Sequence, residues 1–532
     1  MMPGASRRCR WSHTIAIALV TASCGGLVRA QAPASTATGA APAQTFDVLE
    51  YRVLGNSILP IRDIEGALYP LLGNGKTLKD VEGARKTLED LYHKKGYGTA
   101  FVDIPPQTVQ EGVVRLRVTE GTLEKRTIGG ARYFADRDVI AQLPASTPGQ
   151  VLQLAKLQEQ LTTVNRETAD RQVVPVLKAG SAPGTVDLAL KVDDRLPLHG
   201  SLELNNQATV DTHPLRGIVN LSYDDLFGRL DSLALQYQFS PQAFSQVKVF
   251  ALNYAMHPIE GLQPSFSYID SNSNVPVAGT FGVLGVGDIT SARLAYAIPE
   301  TGATLQSVSV GADYKDFRNT IKQDVTTALV TPITYLSLNA GYALNARTDR
   351  VATTLLLSAD GGVLGSATEF ANDRFQARPN FFYVRADLTT TWRLPAGFGL
   401  RLRAAGQGAA EALIANEEFS LAGADGVRGY LEAEELVDRG IKGTAQLISP
   451  PWRHGDRTLG ELFLFYDVSR GRVYAALPGQ PSDIELRSYG AGLDLLPGAK
   501  LTGSLSWAHV IDAASVTQAG DTRVLFLVRG SF

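Results

Sequence analysis

The sequence predicts α+β modules followed by an all-β transmembrane barrel of about 16 antiparallel strands. Three observations predict this: an amino-terminal secretory signal, a tandem repeat of short strands and amphipathic helices, and a long carboxyl region alternating apolar and polar residues at period two. Composition sets the outer bounds. The 532 residues are 44% hydrophobic and 19% charged, with 51 Gly, 26 Pro, 2 Cys and a formal net charge of −3. That is too long for one ordinary soluble domain, and the charged fraction lies below the roughly 25% of typical soluble proteins. A mean hydropathy of −0.02 is too low for a bundle of membrane helices. The balance excludes a strongly basic nucleic-acid binder, an acidic disordered chain and a disulfide scaffold. A large soluble enzyme and a β-barrel remain.

Residues 1–30 read as a signal peptide. Arg7, Arg8 and Arg10 precede an apolar stretch from Ile15 to Val20, and Val28-Arg29-Ala30 offers a small-residue cleavage site. Both cysteines, Cys9 and Cys24, fall inside it, so the expected mature chain has no disulfide, thiolate nucleophile or cysteine metal site. Thr21-Ala22-Ser23-Cys24 also looks like a lipoprotein processing site, with Thr21 in place of the usual Leu. Residues 31–45 are uncharged and rich in Ala, Pro, Ser and Thr, the composition of a flexible leader.

Residues 46–121 form the first module. A strand over Asp47–Leu54 ends at the turn pair Gly55-Asn56, and Ile61–Leu71 is a first helix. Leu78, Val81, Ala84, Leu88 and Leu91 stripe a second helix, closed by Lys94-Lys95-Gly96. Strands at Thr99–Ile104 and Val113–Glu120 follow. Gly73-Asn74-Gly75-Lys76-Thr77 is read as a turn before the Leu78 helix; a P-loop would need Gly where Pro70 stands. The β-α-α-β-β order repeats over residues 122–194, with Gly129-Gly130 in the place of Gly55-Asn56 and Leu154, Leu157, Leu161 and Val164 striping the second helix.

These segments resemble a known family. Val53-Leu54-Gly55-Asn56, Leu59-Pro60, Lys95-Gly96-Tyr97, Ile104-Pro105-Pro106-Gln107, and the alternation Val114, Leu116, Val118 ending at Glu120-Gly121 resemble the polypeptide-transport-associated (POTRA) domain of the ShlB/FhaC/HecB family, the outer-membrane transporters of two-partner secretion. Gly180, Pro183-Gly184-Thr185 and Asp187-Leu188 look like the end of that family's second POTRA domain. The resemblance implies Gram-negative outer-membrane localisation, POTRA domains in the periplasm and a secreted exoprotein as partner. It implies no cofactor and no nucleic acid.

Residues 195–532 hold no 18-residue apolar run and no clear amphipathic helix. Stretches of about ten residues alternate instead, as bilayer-spanning strands of about 9–11 residues do; examples are Ser201–Asn205, Ile218–Tyr223, Leu233–Phe239, Val247–Tyr254, Leu305–Tyr314 and Phe382–Trp392. Their outward side chains are expected to face outer-membrane lipid. In the last, Val524, Phe526, Val528, Gly530 and Phe532 share one face, opposite Arg523 and Arg529. The pair Phe526 and Phe532 resembles the terminal signal that hands barrels to the assembly machinery.

A long connection, residues 411–440, lies between candidate strands 11 and 12. Its Val427-Arg428-Gly429-Tyr430 matches the VRGY motif of loop 6 in this family and in the superfamily containing the BamA assembly factor. The resemblance implies a loop folded into the lumen, its Arg paired with an Asp in an F-x-D-x-G motif. Phe465-Tyr466-Asp467-Val468-Ser469 corresponds, with Ser469 in place of Gly. A guanidinium in a narrow lumen needs a bidentate carboxylate. The acidic residues Glu417, Glu418, Glu432, Glu434 and Glu435 also fit an outer loop in solvent. Family members begin with a plug helix; the short Pro-containing segment after Ala30 predicts none here. The seven His show no paired metal spacing and no G-x-S-x-G occurs, so the chain is read as neither metal-binding nor enzymatic. Secretion is the leading reading; an assembly factor and a passive porin are the rivals.

Overall fold

A computed structural model describes residues 45–532 apart from 211, 260, 277–282, 302, 323–327, 456 and 499. The expectations for the signal peptide, leader, Cys24 lipidation and plug helix lie outside the described residues. The chain divides into two compact units, one ending at Glu120 and the other running from Gly121 to Phe532.

In the first unit, β1 (Phe46–Val48), β2 (Glu50–Leu54), α1 (Ile61–Leu68), β3 (Gly73–Lys76), α2 (Leu78–Lys94), β4 (Phe101–Asp103) and β5 (Val113–Thr119) follow in order. β5 is central, parallel to β2 and antiparallel to β4. Val81, Ala84, Leu88 and Tyr92 of α2 are buried against Val102, Val114, Leu116 and Val118. The segment read as a turn is divided in two. Gly73–Lys76 pairs with β1, and Thr77 starts α2 by donating its N–H and Oγ1 to Asp80 Oδ2 at 2.8 and 2.7 Å. Gly-Asn-Gly-Lys has no strand propensity; its pairing depends on β1 and on Asp47 Oδ1, which accepts the Gly75 N–H at 2.9 Å.

The second unit opens with β6 (Thr122–Gly129), α3 (Asp136–Ala141), α4 (Leu154–Glu167), β7 (Arg171–Ala179) and β8 (Thr185–Asp194), in sheet order β6-β8-β7. The repeat extends to backbone detail. A Cβ on Gly55 (φ +85°) would lie 2.3 Å from Val118 O, and one on Gly130 (φ +103°) 2.3 Å from Val192 O. Both positions require glycine for the same close strand approach.

The β7–β8 turn is held by Glu124, which accepts from Ser181 Oγ, from Thr185 Oγ1 at 2.5 Å and from Ser181 N at 2.8 Å. The Ser181 and Thr185 hydroxyls and the backbone donors lower its pKa to about 2. A depressed carboxylate pKa stabilises the fold above the unfolded value, and that stabilisation disappears as pH falls through the folded one. Glu124→Gln is therefore expected to lower the thermal unfolding temperature at pH 6, with the difference from wild type shrinking from about pH 4.5 and vanishing below about pH 2.

Beyond these lies a closed barrel. Its strands are β9 (Leu198–Asn205), β10 (Arg216–Leu226), β11 (Asp231–Phe239), β12 (Lys248–Ala255), β13 (Leu262–Pro276), β14 (Val283–Thr301), β15 (Thr304–Lys322), β16 (Ala328–Arg347) and β17 (Val351–Gly365). After helix α5 (Ala367–Asp373) come β18 (Phe382–Arg393) and β19 (Gly399–Ala409). Two short strands, β20 (Phe419–Ser420) and β21 (Leu436–Val437), then precede β22 (Arg439–Ile448). The three-residue β23 (Trp452–His454), β24 (Arg457–Arg472), β25 (Asp483–Gly498), β26 (Leu501–Val510) and β27 (Thr522–Ser531) complete it. Among the described residues, sixteen long antiparallel strands close where β27 meets β9, from Leu527↔Asn205 to Ser531↔Ser201. β24 displays the alternation that builds the wall. Leu462, Leu464, Tyr466 and Val468 are exposed outward, while Phe463, Phe465, Asp467 and Ser469 are buried.

Two features were not legible. β14, β15 and β16 run 19, 19 and 20 residues, well past the span a bilayer needs. The seven-residue α5 is too short to show helical periodicity; Phe370 fixes it, its ring centroid 5.3 Å from that of Tyr335.

Candidate functional site in the barrel lumen

Loop 6 leaves β19, forms a two-stranded stem from β20 and β21, and turns back through residues 421–435. Gly423 (φ +109°) and Gly429 (φ +103°) allow the reversals, and a Cβ on Gly429 would lie 2.9 Å from Val510 Cγ2. Phe419, Leu421, Val427, Tyr430 and Val437 pack with Ala405, Leu486 and Val510 of the wall. The loop thus has an apolar core of its own, with Val427 and Tyr430 fully buried.

At its tip, Arg428 Nε and Nη2 donate to Asp467 Oδ2 and Oδ1, each at 2.8 Å, and the Arg428 backbone N–H adds a bond of 3.1 Å. The guanidinium carbon sits 3.4 Å from the centre of the Phe465 ring. Asp467 is 0% exposed, so both its oxygens are spent on this one residue and the pair is bidentate and desolvated. Tyr430 Oη donates to the carbonyls of Asp512, at 2.7 Å, and Arg487, at 3.2 Å. Ser469, where the family motif has Gly, is 1% exposed on the lumenal side, in register with Leu486.

Four of the five glutamates named in the loop do not lie in solvent; Glu435 is half-buried, and Asp425 is exposed. Glu417, Glu418, Glu432 and Glu434 are buried, each with donors. Glu417 accepts from Lys315, Tyr335 and Tyr383, and Glu418 from Arg374, which also forms a two-point pair with Asp438. Glu432 accepts the Ala424 N–H, and Glu434 takes Val516 N, Thr517 N and Thr517 Oγ1. Composition could not show this, because the donors come from strands and loops distant in sequence.

The remaining motif residues sit elsewhere. Asn56 joins its side chain to Leu59 on both N–H and carbonyl, at 3.0 and 2.9 Å, and accepts Tyr92 Oη at 2.5 Å. Burial and then the Glu120 carboxylate push the Tyr92 phenol well above its usual range. Pro105 is buried just after β4, where a residue without an N–H ends the strand; Pro106 is exposed. Gln107 then pairs its amide with the N–H and C=O of Arg115, at 2.7 and 2.8 Å, standing in for a strand beside β5. Phe526 and Phe532 lie on the outward face of the last strand, and the Phe526 N–H is accepted by Asn206 Oδ1 at 2.9 Å.

Two carboxylates close the modules: Glu120, quoted in the motif but given no role there, and Asp194, which was missed. Glu120 accepts Ser57 N at 2.8 Å and Ile58 N at 3.2 Å. Asp194 likewise accepts the N–H groups of Arg132, Tyr133 and Phe134 at 2.9–3.1 Å. Burial opposes ionisation of Asp194, but these donors hold it below the usual carboxylate range. Their equivalent places, one at the end of each module, were the available signal. Asp170, His199 and Asp224 also meet where the second module joins the barrel. His199 Nε2 lies 2.7 Å from Asp170 Oδ2 while Arg195 Nε donates to Asp170 Oδ1 at 2.7 Å, which makes the group an ionic fastening of module to first strand.

Tandem α/β modules, a closed barrel and a buried loop clamped to its inner wall define the outer-membrane protein-transport barrels. Residues 46–121 match the POTRA domain, ShlB-type, and residues 184–495 match the haemolysin secretion/activation protein ShlB/FhaC/HecB description. The chain belongs to the ShlB/FhaC/HecB family and is an outer-membrane two-partner secretion transporter with periplasmic POTRA domains. It is 22% identical over 457 residues to the heme/hemopexin transporter protein HuxB of Haemophilus influenzae, covering 83% of this chain and 79% of that one. The outer membrane transporter CdiB of Dickeya dadantii is 23% identical over 445 residues, 81% and 76% of the two chains. Among solved structures, CdiB from Escherichia coli aligns with a TM-score of 0.56 at 18% identity, over 94% of this chain and 93% of that one. BamA from Haemophilus ducreyi lacking POTRA domains 1–3 aligns at 0.57 and 13% identity, over 92% and 100%, a likeness of fold.

Proposed function

We propose that this transporter captures one unfolded exoprotein in the periplasm through residues 46–194 and passes it through the barrel, with loop 6 as the latch. The observation that carries capture is β7. Among the described residues it pairs on one side only, with β8, and it exposes Val174, Val176 and Leu177 along its nine residues. A free edge with apolar side chains accepts an extended segment by main-chain hydrogen bonds that are indifferent to most of its sequence. The latch is Arg428–Asp467: a bidentate pair on the inner wall holds the loop tip until the substrate displaces it. Folding of the substrate outside prevents its return and supplies the direction of transport. Phe526 and Phe532 act earlier, as the feature the barrel-assembly machinery reads, and the outward apolar face meets outer-membrane lipid.

Capture is tested at β7. Val174→Asp with Val176→Asp changes two exposed side chains, so module stability is expected to move by about 1 kcal/mol or less. Export of the partner exoprotein, measured by immunoblot of the medium, is expected to fall by about three- to tenfold because charge on an edge opposes pairing. Full export by a folded double variant would remove β7 from the capture step.

A further inference from the structure

Loop 6 is held at a second place, far from its tip. Glu417, 2% exposed, accepts from Lys315 Nζ at 2.6 Å and Tyr335 Oη at 2.5 Å on one oxygen and from Tyr383 Oη at 2.6 Å on the other. Its carbonyl accepts Arg385 Nη2 at 3.0 Å and Gln407 Nε2 at 3.1 Å. The donors come from β15, β16, β18 and β19, a different sector of wall from the β24 that carries Asp467. The Lys315 ammonium also lies 5.5 Å from the centre of the Tyr335 ring. Beside this cluster is a cavity of about 370 Å3 lined by Asp313, Lys315, Asp360, Tyr383, Arg385 and Glu417. The space next to the loop therefore sets charged side chains among apolar ones such as Ile289 and Phe317, and it can admit solutes wherever the limb does not block it.

We propose that Glu417 is a positioning residue for transport: it pins the entering limb of loop 6 to the β15–β18 wall, so that the barrel stays closed to solutes whether or not the tip pair is made. This rests on loop 6 being the latch. Two anchors on separate sectors string the loop across the lumen, and release of one leaves the other in place. A carboxylate is suited to the task because both its oxygens take donors from several strands at once, whereas an amide would leave Lys315 without its counter-charge.

The test uses the full chain in the outer membrane and measures sensitivity to a glycopeptide antibiotic too large for diffusion porins, alongside heat-modifiable gel mobility as a check of folding. Glu417→Gln is expected to lower the inhibitory concentration by about fourfold or more, since the buried ion pair is lost. Lys315→Glu combined with Glu417→Lys restores the pair in reverse and is expected to restore the barrier. The rescue assigns the barrier to the pair, and unchanged heat-modifiable mobility of the leaky single variant separates that role from one in folding alone. A folded Glu417→Gln barrel as tight as wild type, or a swapped pair as leaky as the single variant, overturns the proposal. Should Glu417→Gln not accumulate, Lys315→Gln removes the counter-charge from the other side of the pair and is read in its place; a folded, tight barrel there overturns it equally. Export by Arg428→Ala is read in parallel. Normal export beside a leaky Glu417→Gln rejects the latch and leaves the clamp standing, while lost export beside a tight one does the reverse.

Discussion

Replacing Arg428 with Ala is expected to reduce exoprotein export by about a hundredfold or more while the barrel still inserts. The change strands Asp467, a carboxylate that is 0% exposed and whose two oxygens both accept from the lost side chain. Breaking one partner of a buried pair costs about 3–5 kcal/mol, because the remaining charge cannot return to water and keeps only the backbone N–H of position 428 as a donor. The barrel wall does not depend on that pair: β24 is hydrogen-bonded to β22 and β25 along its length. The loss therefore falls on loop 6, whose tip also loses the contact between the guanidinium and Phe465. Asp467→Asn is the informative companion. It keeps the shape and one acceptor but removes the charge, so export is expected to lie between Arg428→Ala and wild type. Quantifying secreted and outer-membrane pools in the same cells checks both, and full secretion by Arg428→Ala would end the latch assignment.

The second large effect comes from removing residues 46–194. If residues 46–194 capture the substrate as proposed, they raise its local concentration at the barrel entrance, and without them export is expected to fall by about two orders of magnitude. The pattern of loss separates three functions. Loss of one secreted protein identifies transport; broad loss of outer-membrane proteins would identify an assembly factor of the BamA type, whose barrel has the same fold. No change in anything but solute flux would identify a porin. A proteomic comparison of outer membrane and medium reads all three at once.

How much was legible depends on how far apart the interacting residues are. The stripes of α2 and α4 were readable because 3.6-residue periodicity is local, as was the wall of β18 because alternation is local. The VRGY motif and Asp467 drew attention to two residues that lie 2.8 Å apart in the structure, yet nothing local joined them. Glu417 was invisible for the same physical reason. Its donors Lys315, Tyr335 and Tyr383 are separated from it by 102, 82 and 34 positions, and a run of Asn416-Glu417-Glu418 taken alone has the composition of a solvated loop. β3 was hidden differently: its glycines suppress strand propensity, and only β1 makes it a strand. The upper parts of β14 to β16 extend beyond the bilayer span, where the lipid no longer imposes a pattern.

The carboxylate at the end of the second module has a mechanical consequence. On the capture proposed above, a polypeptide held by the module and drawn through the pore would exert traction, and the chain from module to barrel runs through Asp194 and Arg195. Asp194 is tied to the amides of Arg132, Tyr133 and Phe134, some sixty positions earlier, while β8 runs parallel to β6 with seven paired positions, the register shifting once between Leu123 and Lys125. Force along β8 therefore shears a whole ladder and its terminal knot together instead of peeling bonds one at a time. The module is built as a strain-resistant coupling, able to stay folded while the cargo it handles is kept unfolded.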